Sequence, residues 1–115
     1  MITKLRKSFG FAWQGLVIAW REEPSFKIEL GAAVIALALC ALLGVSRLEW
    51  ALIIFIIFVI LSVEALNTAL EELCDKFAPD PDPHIAKIKD LAAPAVLLTS
   101  IGALWVAIII FGSYL

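Results

Sequence analysis

Between Glu64 and Asp75 the chain reads E-A-L-N-T-A-L-E-E-L-C-D, at the polar end of a long apolar run. At about 100° per residue, with Glu64 taken as zero, Asn67 lies at roughly −60°, Glu71 at roughly −20° and Asp75 at roughly +20°. They form one stripe. A helix that simply emerges into water has no reason to align its polar groups, whereas a reacting site needs carboxylates and an amide that converge. Phosphoryl transfer fits this set, because a transferred phosphoryl group carries concentrated negative charge that Mg²⁺ on carboxylates and nearby lysines would balance. Glu71, Glu23 and Lys89 are the available parts.

The elements that position the stripe belong to a membrane protein. The 115 residues are 63% hydrophobic and only 17% charged, with mean hydropathy +1.00, too apolar for a soluble domain of this length. Leu30 to Ser46 is a run of seventeen uncharged residues, Trp50 to Val63 has no charge, and neither does Leu91 to Leu115. These runs predict spans at about residues 28–46, 49–70 and 91–113. Before them, Leu5, Phe9, Trp13, Leu16 and Trp20 recur at helical spacing, with Lys4, Lys7 and Gln14 on other faces. That pattern predicts an amphipathic helix lying on the bilayer over about residues 3–21. The fold expected is all-α, one integral membrane domain over residues 1–115, with three transmembrane helices behind an N-terminal surface helix.

Proline marks the expected breaks. Pro24 ends the surface helix, with Ser25 as the expected cap of the next. Ser46 to Glu49 reads as a tight polar turn, and FAPDPDPHI as a stiff acidic loop broken by Pro79, Pro81 and Pro83, after which the last span begins near Lys89. Lys4, Arg6 and Lys7 precede no compact apolar core with a cleavage site, so the first helix is expected in the mature protein rather than in a signal peptide.

Basic residues give the orientation. Lys4, Arg6, Lys7, Arg21 and Lys27 precede the first span, Lys76, Lys87 and Lys89 lie between the second and third, and Arg47 alone lies in the remaining turn. The N-terminus and the proline loop are expected on the cytoplasmic side of a bacterial inner membrane, and the C-terminus outside. Counting from Trp50, Glu64 then lies about 21 Å along its helix and Glu71 about 10 Å further, against a hydrocarbon core of roughly 30 Å. Glu71 reaches the surface. Glu64 stays within the inner leaflet, where an ionisable group costs about 2.5 kcal/mol or more and marks a functional or paired position. Desolvation there favours a carboxylate able to accept a proton from a lipid hydroxyl.

Several classes find no support. There is no GxxxxGK[ST] loop and no GxGxxG, so a conventional kinase fold is excluded. Nothing points to nucleic acid. Cys40 and Cys74 read as packing residues, without a disulfide or CxxC pattern. Glu22, Glu72 and the lone His84 read as solvated surface groups, and Trp13, Trp20, Trp50 and Trp105 as boundary or packing residues. From the stripe alone, a non-enzymatic proton or small-solute carrier stands level with a lipid-modifying enzyme, since buried carboxylates also relay protons.

The stretch from Glu64 to Asp75, with A-W-R-E-E-P-S-F at Ala19–Phe26 and K-D-L-A-A at Lys89–Ala93 in the same order, resembles the small prokaryotic diacylglycerol kinases and their undecaprenol kinase relatives over nearly the whole chain. The resemblance implies a homotrimer of three-span subunits with shared sites that uses MgATP to phosphorylate a lipid hydroxyl. By position, Glu64 would be the general base, Glu23 and Glu71 the metal-binding carboxylates, and Lys89 with Asp90 part of the nucleotide site, together with Lys4 and Phe11. Asn67 and Asp75 complete the motif. Trp20, Ser25 and Glu29 would meet the lipid alongside Glu64. Ala32, Ala36, Ala65 and Ala69 would allow close helix approach. Lys4 stands where some members have arginine, Phe11 where a hydroxylated aromatic can occur, and Pro94 in a stretch often Ala and Gly, tolerable near a helix start. Glu29 favours diacylglycerol as acceptor, while L-E-W at Leu48–Trp50 and His84 favour undecaprenol; diacylglycerol is preferred.

Overall fold

Each apolar run forms a helix because a lipid-facing backbone has no water to satisfy its N–H and C=O groups. The computed structural model describes residues 1–78 and 80–115 and contains four helices among them: α1 (Ile2–Glu22), α2 (Pro24–Leu43), α3 (Arg47–Phe77) and α4 (Pro83–Gly112). Helices α2, α3 and α4 are each long and apolar enough to cross a membrane. At 1.5 Å per residue, the 31 residues of α3 extend about 46 Å, well beyond a hydrocarbon core of roughly 30 Å. Much of the apolar surface of the three helices, including Phe55, Phe58 and Leu97, faces outward, as lipid contact requires. Within the chain, α1 buries only Ala19.

The corners are built from few residues. Glu23 takes an extended conformation and Pro24 opens α2 at its first turn, where a missing N–H costs nothing and φ is already helical. Ser25 therefore lies inside the helix and does not cap it, contrary to the sequence expectation; the capping position belongs to Glu23, whose side chain makes no cap hydrogen bond. At the other end of α2, Gly44 sits at φ 63, the left-handed conformation glycine adopts without steric penalty, and donates its N–H to the Cys40 carbonyl at 3.1 Å. Ser46 then caps α3 reciprocally: the Glu49 N–H donates to Ser46 Oγ at 3.2 Å, and the Ser46 N–H donates to Glu49 Oε1 at 2.9 Å. The expected turn at Ser46–Glu49 is thus mostly the first turn of α3.

The start of α4 differs from the sequence expectation. The helix begins at Pro83, well before Lys89, because Asp82 caps it: Asp82 Oδ1 accepts N–H bonds from His84 at 2.8 Å and Ile85 at 3.3 Å. His84 belongs to a helical first turn, not to a loop. Pro94, expected near a helix start, lies in the helix interior, where its missing N–H leaves the Asp90 carbonyl without its helical donor. Pro79, expected to break the loop, lies outside the described residues.

The packed core lies at the end of the bundle away from the stripe. Cys40, Val45, Ile53 and Ile110 are buried there, flanked by Trp50, Ile57 and Val106. Tyr114 closes the same end by donating its hydroxyl to Glu49 Oε1 at 2.5 Å, a bond that holds the phenol above its ordinary pKa. Replacing Ser46 by Ala should lower stability by about 1 kcal/mol, read as an earlier unfolding midpoint in a graded sodium dodecyl sulfate titration. An unchanged midpoint would show that the reciprocal cap contributes nothing.

Candidate active site

The four stripe residues share a face of α3 but differ in exposure. Glu64 retains only 7% of its accessible surface, Asn67 is half-buried, and Glu71 and Asp75 are exposed. Burial thus falls along one helix from Glu64 to Asp75. Asn67 Nδ2 donates to Glu71 Oε1 at 3.2 Å, one helical turn apart, so the amide steadies the carboxylate.

Two neighbouring helices complete the site. From α2, Glu29 brings its carboxyl up to Glu64. From α4, Lys89 forms an ion pair with Asp75. Below it, Asp75, Asp80, Asp82 and Lys89 border a polar hollow of about 260 Å³. Its charge is net acidic, so a bare polyphosphate entering it would be repelled.

Among the described residues, two buried acceptors here lack a donor: Glu29 Oε2 on α2, beside Glu64, and Asn67 Oδ1 on α3. Buried acceptors left unpaired cost about 1–3 kcal/mol each. The Glu71 carboxylate and the Asn67 amide oxygen are hard oxygen donors of the kind Mg²⁺ takes, and that ion needs only one or two protein carboxylates, with water and phosphate supplying the rest. No three His, Cys, Asp or Glu side chains gather in one place among the described residues.

Other residues singled out from the sequence make no hydrogen bond or ion pair with the stripe among the described residues, Glu29 and Lys89 excepted. Lys4 and Phe11 are exposed on α1, Asp90 is exposed beside Lys89, and Glu23 is half-buried at the α1–α2 corner. Ser25 is exposed. Trp20 is covered by Lys27, whose Nζ lies 5.1 Å from the ring centroid; that cation–π contact was not anticipated. Ala65 and Ala69 are exposed, whereas Ala32 and Ala36 line a groove between α2, α3 and α4. The Glu29–Glu64 approach was also missed as a contact, since it joins residues 35 positions apart. Its sequence signal was a glutamate inside an apolar run.

A bundle of apolar helices in which buried Glu64 beside Glu29 leads to exposed acids suits an enzyme of the lipid–water boundary. The family described as prokaryotic diacylglycerol kinase matches residues 10–111. Among relatives, the diacylglycerol kinase of Escherichia coli strain K12 is 31% identical over 101 residues, covering 88% of this chain and 83% of that one. The Helicobacter pylori (strain 26695) enzyme of the same name is 32% identical over 112 residues, covering 97% and 84%, and that of Haemophilus influenzae is 29% identical, covering 96% and 95%. The chain belongs to the prokaryotic diacylglycerol kinase family, a lipid kinase and a multi-pass protein of the inner membrane.

The Lys89–Asp75 pair leaves side chains 39% and 65% exposed, so solvent screening keeps its contribution to stability under about 1 kcal/mol. Asp75→Asn should accordingly shift the unfolding midpoint in mixed micelles by less than that amount. A loss of several kcal/mol would mean that the pair is structural.

Proposed function

We propose that the protein transfers the γ-phosphoryl group of MgATP to the hydroxyl of diacylglycerol, giving phosphatidic acid. The observation that supports this reading is the fall in burial along α3, from Glu64, almost fully buried beside the half-buried Glu29, to the exposed Glu71 and Asp75, an order that suits a lipid hydroxyl at one end and nucleotide at the other. Glu64 is the general base and accepts the hydroxyl proton as the oxygen attacks. Glu29, beside it, supplies an unpaired acceptor that orients the hydroxyl, and Trp20 and Ser25 meet the lipid near the headgroup level.

Glu71, steadied by Asn67, and Glu23 would hold Mg²⁺, which supplies charge neutralisation to the phosphates when bound. Lys89 and Asp90 face the nucleotide, with Lys4 and Phe11 closing over it from α1. For Lys89 to reach a phosphate it must loosen from Asp75, and an exposed ion pair exchanges readily. A homotrimer with sites shared between subunits, which the family likeness suggests, would let Lys4, Phe11 and Glu23 join Glu71 at one site. α1 lies on the cytoplasmic surface with Trp13 and Trp20 at headgroup level, and the basic residues flanking α2 and preceding α4 keep the N-terminus and the site cytoplasmic and the C-terminus outside.

The test uses purified protein in mixed micelles with labelled ATP and Mg²⁺, offered diacylglycerol or undecaprenol in parallel. Diacylglycerol should gain label, and Glu64→Gln should reduce kcat by about 10²–10⁴-fold while the KM for ATP stays near the wild-type value. Turnover unaffected by Glu64→Gln would remove the base assignment; label gained only by undecaprenol would change the acceptor; solute flux without lipid phosphorylation would make the protein a carrier.

A further inference from the structure

Helix α4 carries one proline away from its ends, Pro94, and its place around the helix gives it a direction. At about 100° per residue, with Lys89 taken as zero, Ile85, Ala92 and Val96 fall within roughly 60° of the lysine, whereas Pro94 falls at roughly 140°. The lysine and its three neighbours are half-buried and the proline is exposed. Lys89 also pairs with Asp75 of α3. The lysine thus stands on the face turned to α3, and the proline stands on the outer face.

A proline ring inside a helix clashes with the carbonyl four residues back, here that of Asp90, and removes that carbonyl's donor. The helix relieves the clash by opening on the side that carries the ring, so the turns before it tip toward the opposite face. In α4 that face carries Lys89. The following turn is softened as well, because the Thr99 hydroxyl donates back to the Ala95 carbonyl, a bond of the kind that bends helices. Asp90 is exposed, so water serves its freed carbonyl; deeper in hydrocarbon no such donor is at hand.

From this geometry we infer that Pro94 is a positioning residue: it tips residues 83–93 of α4 onto α3 and so brings Lys89 to the acidic stripe. The inference rests on the placing of Lys89 at the nucleotide in the reading above and gives that placing a cause. Alanine at this position would make a more stable helix. What the ring supplies instead is direction. Lys89 lies five residues before the proline, about 7.5 Å from the pivot, so straightening a bend of about 20° carries its Cα roughly 2.6 Å away from α3. The lysine's flexible stem recovers part of that distance. Straightening therefore weakens the hold on phosphate without abolishing it.

Pro94→Ala in the full-length protein tests this in mixed micelles. The Asp90 carbonyl regains its donor, so the unfolding midpoint in a sodium dodecyl sulfate titration should rise or stay level, which also reports correct folding. The kcat/KM for MgATP should fall on the order of 10-fold, through KM, while the KM for diacylglycerol stays near the wild-type value. In Pro94→Ala/Ala93→Pro the ring stands roughly 40° from Lys89, on the lysine's own face, and ATP affinity should not return. Independently of turnover, a water-soluble carbodiimide joins the Lys89 amine to the Asp75 carboxyl as an amide with loss of water. Mass spectrometry should find the joined peptides in the wild type and several-fold less of them in Pro94→Ala. An unchanged KM for MgATP, a lower midpoint in Pro94→Ala, recovery in the double variant, equal coupling in both proteins or no coupling in the wild type would overturn the inference. Failure of the wild type to phosphorylate a glycerolipid would instead strike the lipid-kinase reading, and the coupling yields would still decide whether Pro94 sets the place of Lys89.

Discussion

A backbone in hydrocarbon must satisfy its own hydrogen bonds, and a carboxyl there must find a neighbour or a use. These two demands shape the molecule. The first makes α2, α3 and α4 continuous and pushes every break to an end: Gly44 and Ser46 at one, Glu23 and Asp82 at the other. The second explains why Glu64 is buried against Glu29 rather than turned to lipid.

The two ends of the bundle are built differently. Around Cys40, Ile53 and Ile110 the three spans pack tightly, and the reciprocal cap of Ser46 and Glu49, with Tyr114 bonded to the same carboxylate, ties α4 to the α2–α3 corner. Toward the stripe, where Phe26 and Cys74 are also buried, the helices are linked by the polar contacts Glu29 to Glu64 and Lys89 to Asp75 beside an open hollow. Rigidity at one end and polar, exchangeable contacts at the other suit a protein whose chemistry occurs at a single membrane face.

How much of this could be read from residue order varies by feature. The three spans were legible because uninterrupted apolar runs have one stable form in lipid, and the stripe because helical periodicity needs only spacing. Pro24 follows the end of α1 at Glu22, as expected, but it also opens α2, and Pro83, taken as part of a loop, opens α4; at both places the first N–H has no partner to lose, and Asp82, one residue earlier, was the cue for the second. At Pro94 the error reversed, since a proline expected near a helix start sits inside one. Contacts such as Tyr114 with Glu49, and the groove between α2, α3 and α4, depend on how helices are rotated against each other, which no single helix's pattern encodes.

An enzyme whose substrate is also a component of its solvent cannot select by apolar burial, because every neighbouring lipid offers the same tail. Discrimination must come from where polar atoms stand along the membrane normal. A choline or ethanolamine phospholipid presents no hydroxyl at the depth of Glu64, whereas a glycerolipid with a free hydroxyl can bring one to the unpaired oxygen of Glu29. Leaving that acceptor unsatisfied penalises the wrong lipid more than any contact rewards the right one. In the reaction proposed, α3 would act as a ruler: its buried turn is set by burial of Glu64, its exposed turn by Glu71, and the separation between them, about 10 Å at 1.5 Å per residue, would span the step from acceptor hydroxyl to nucleotide.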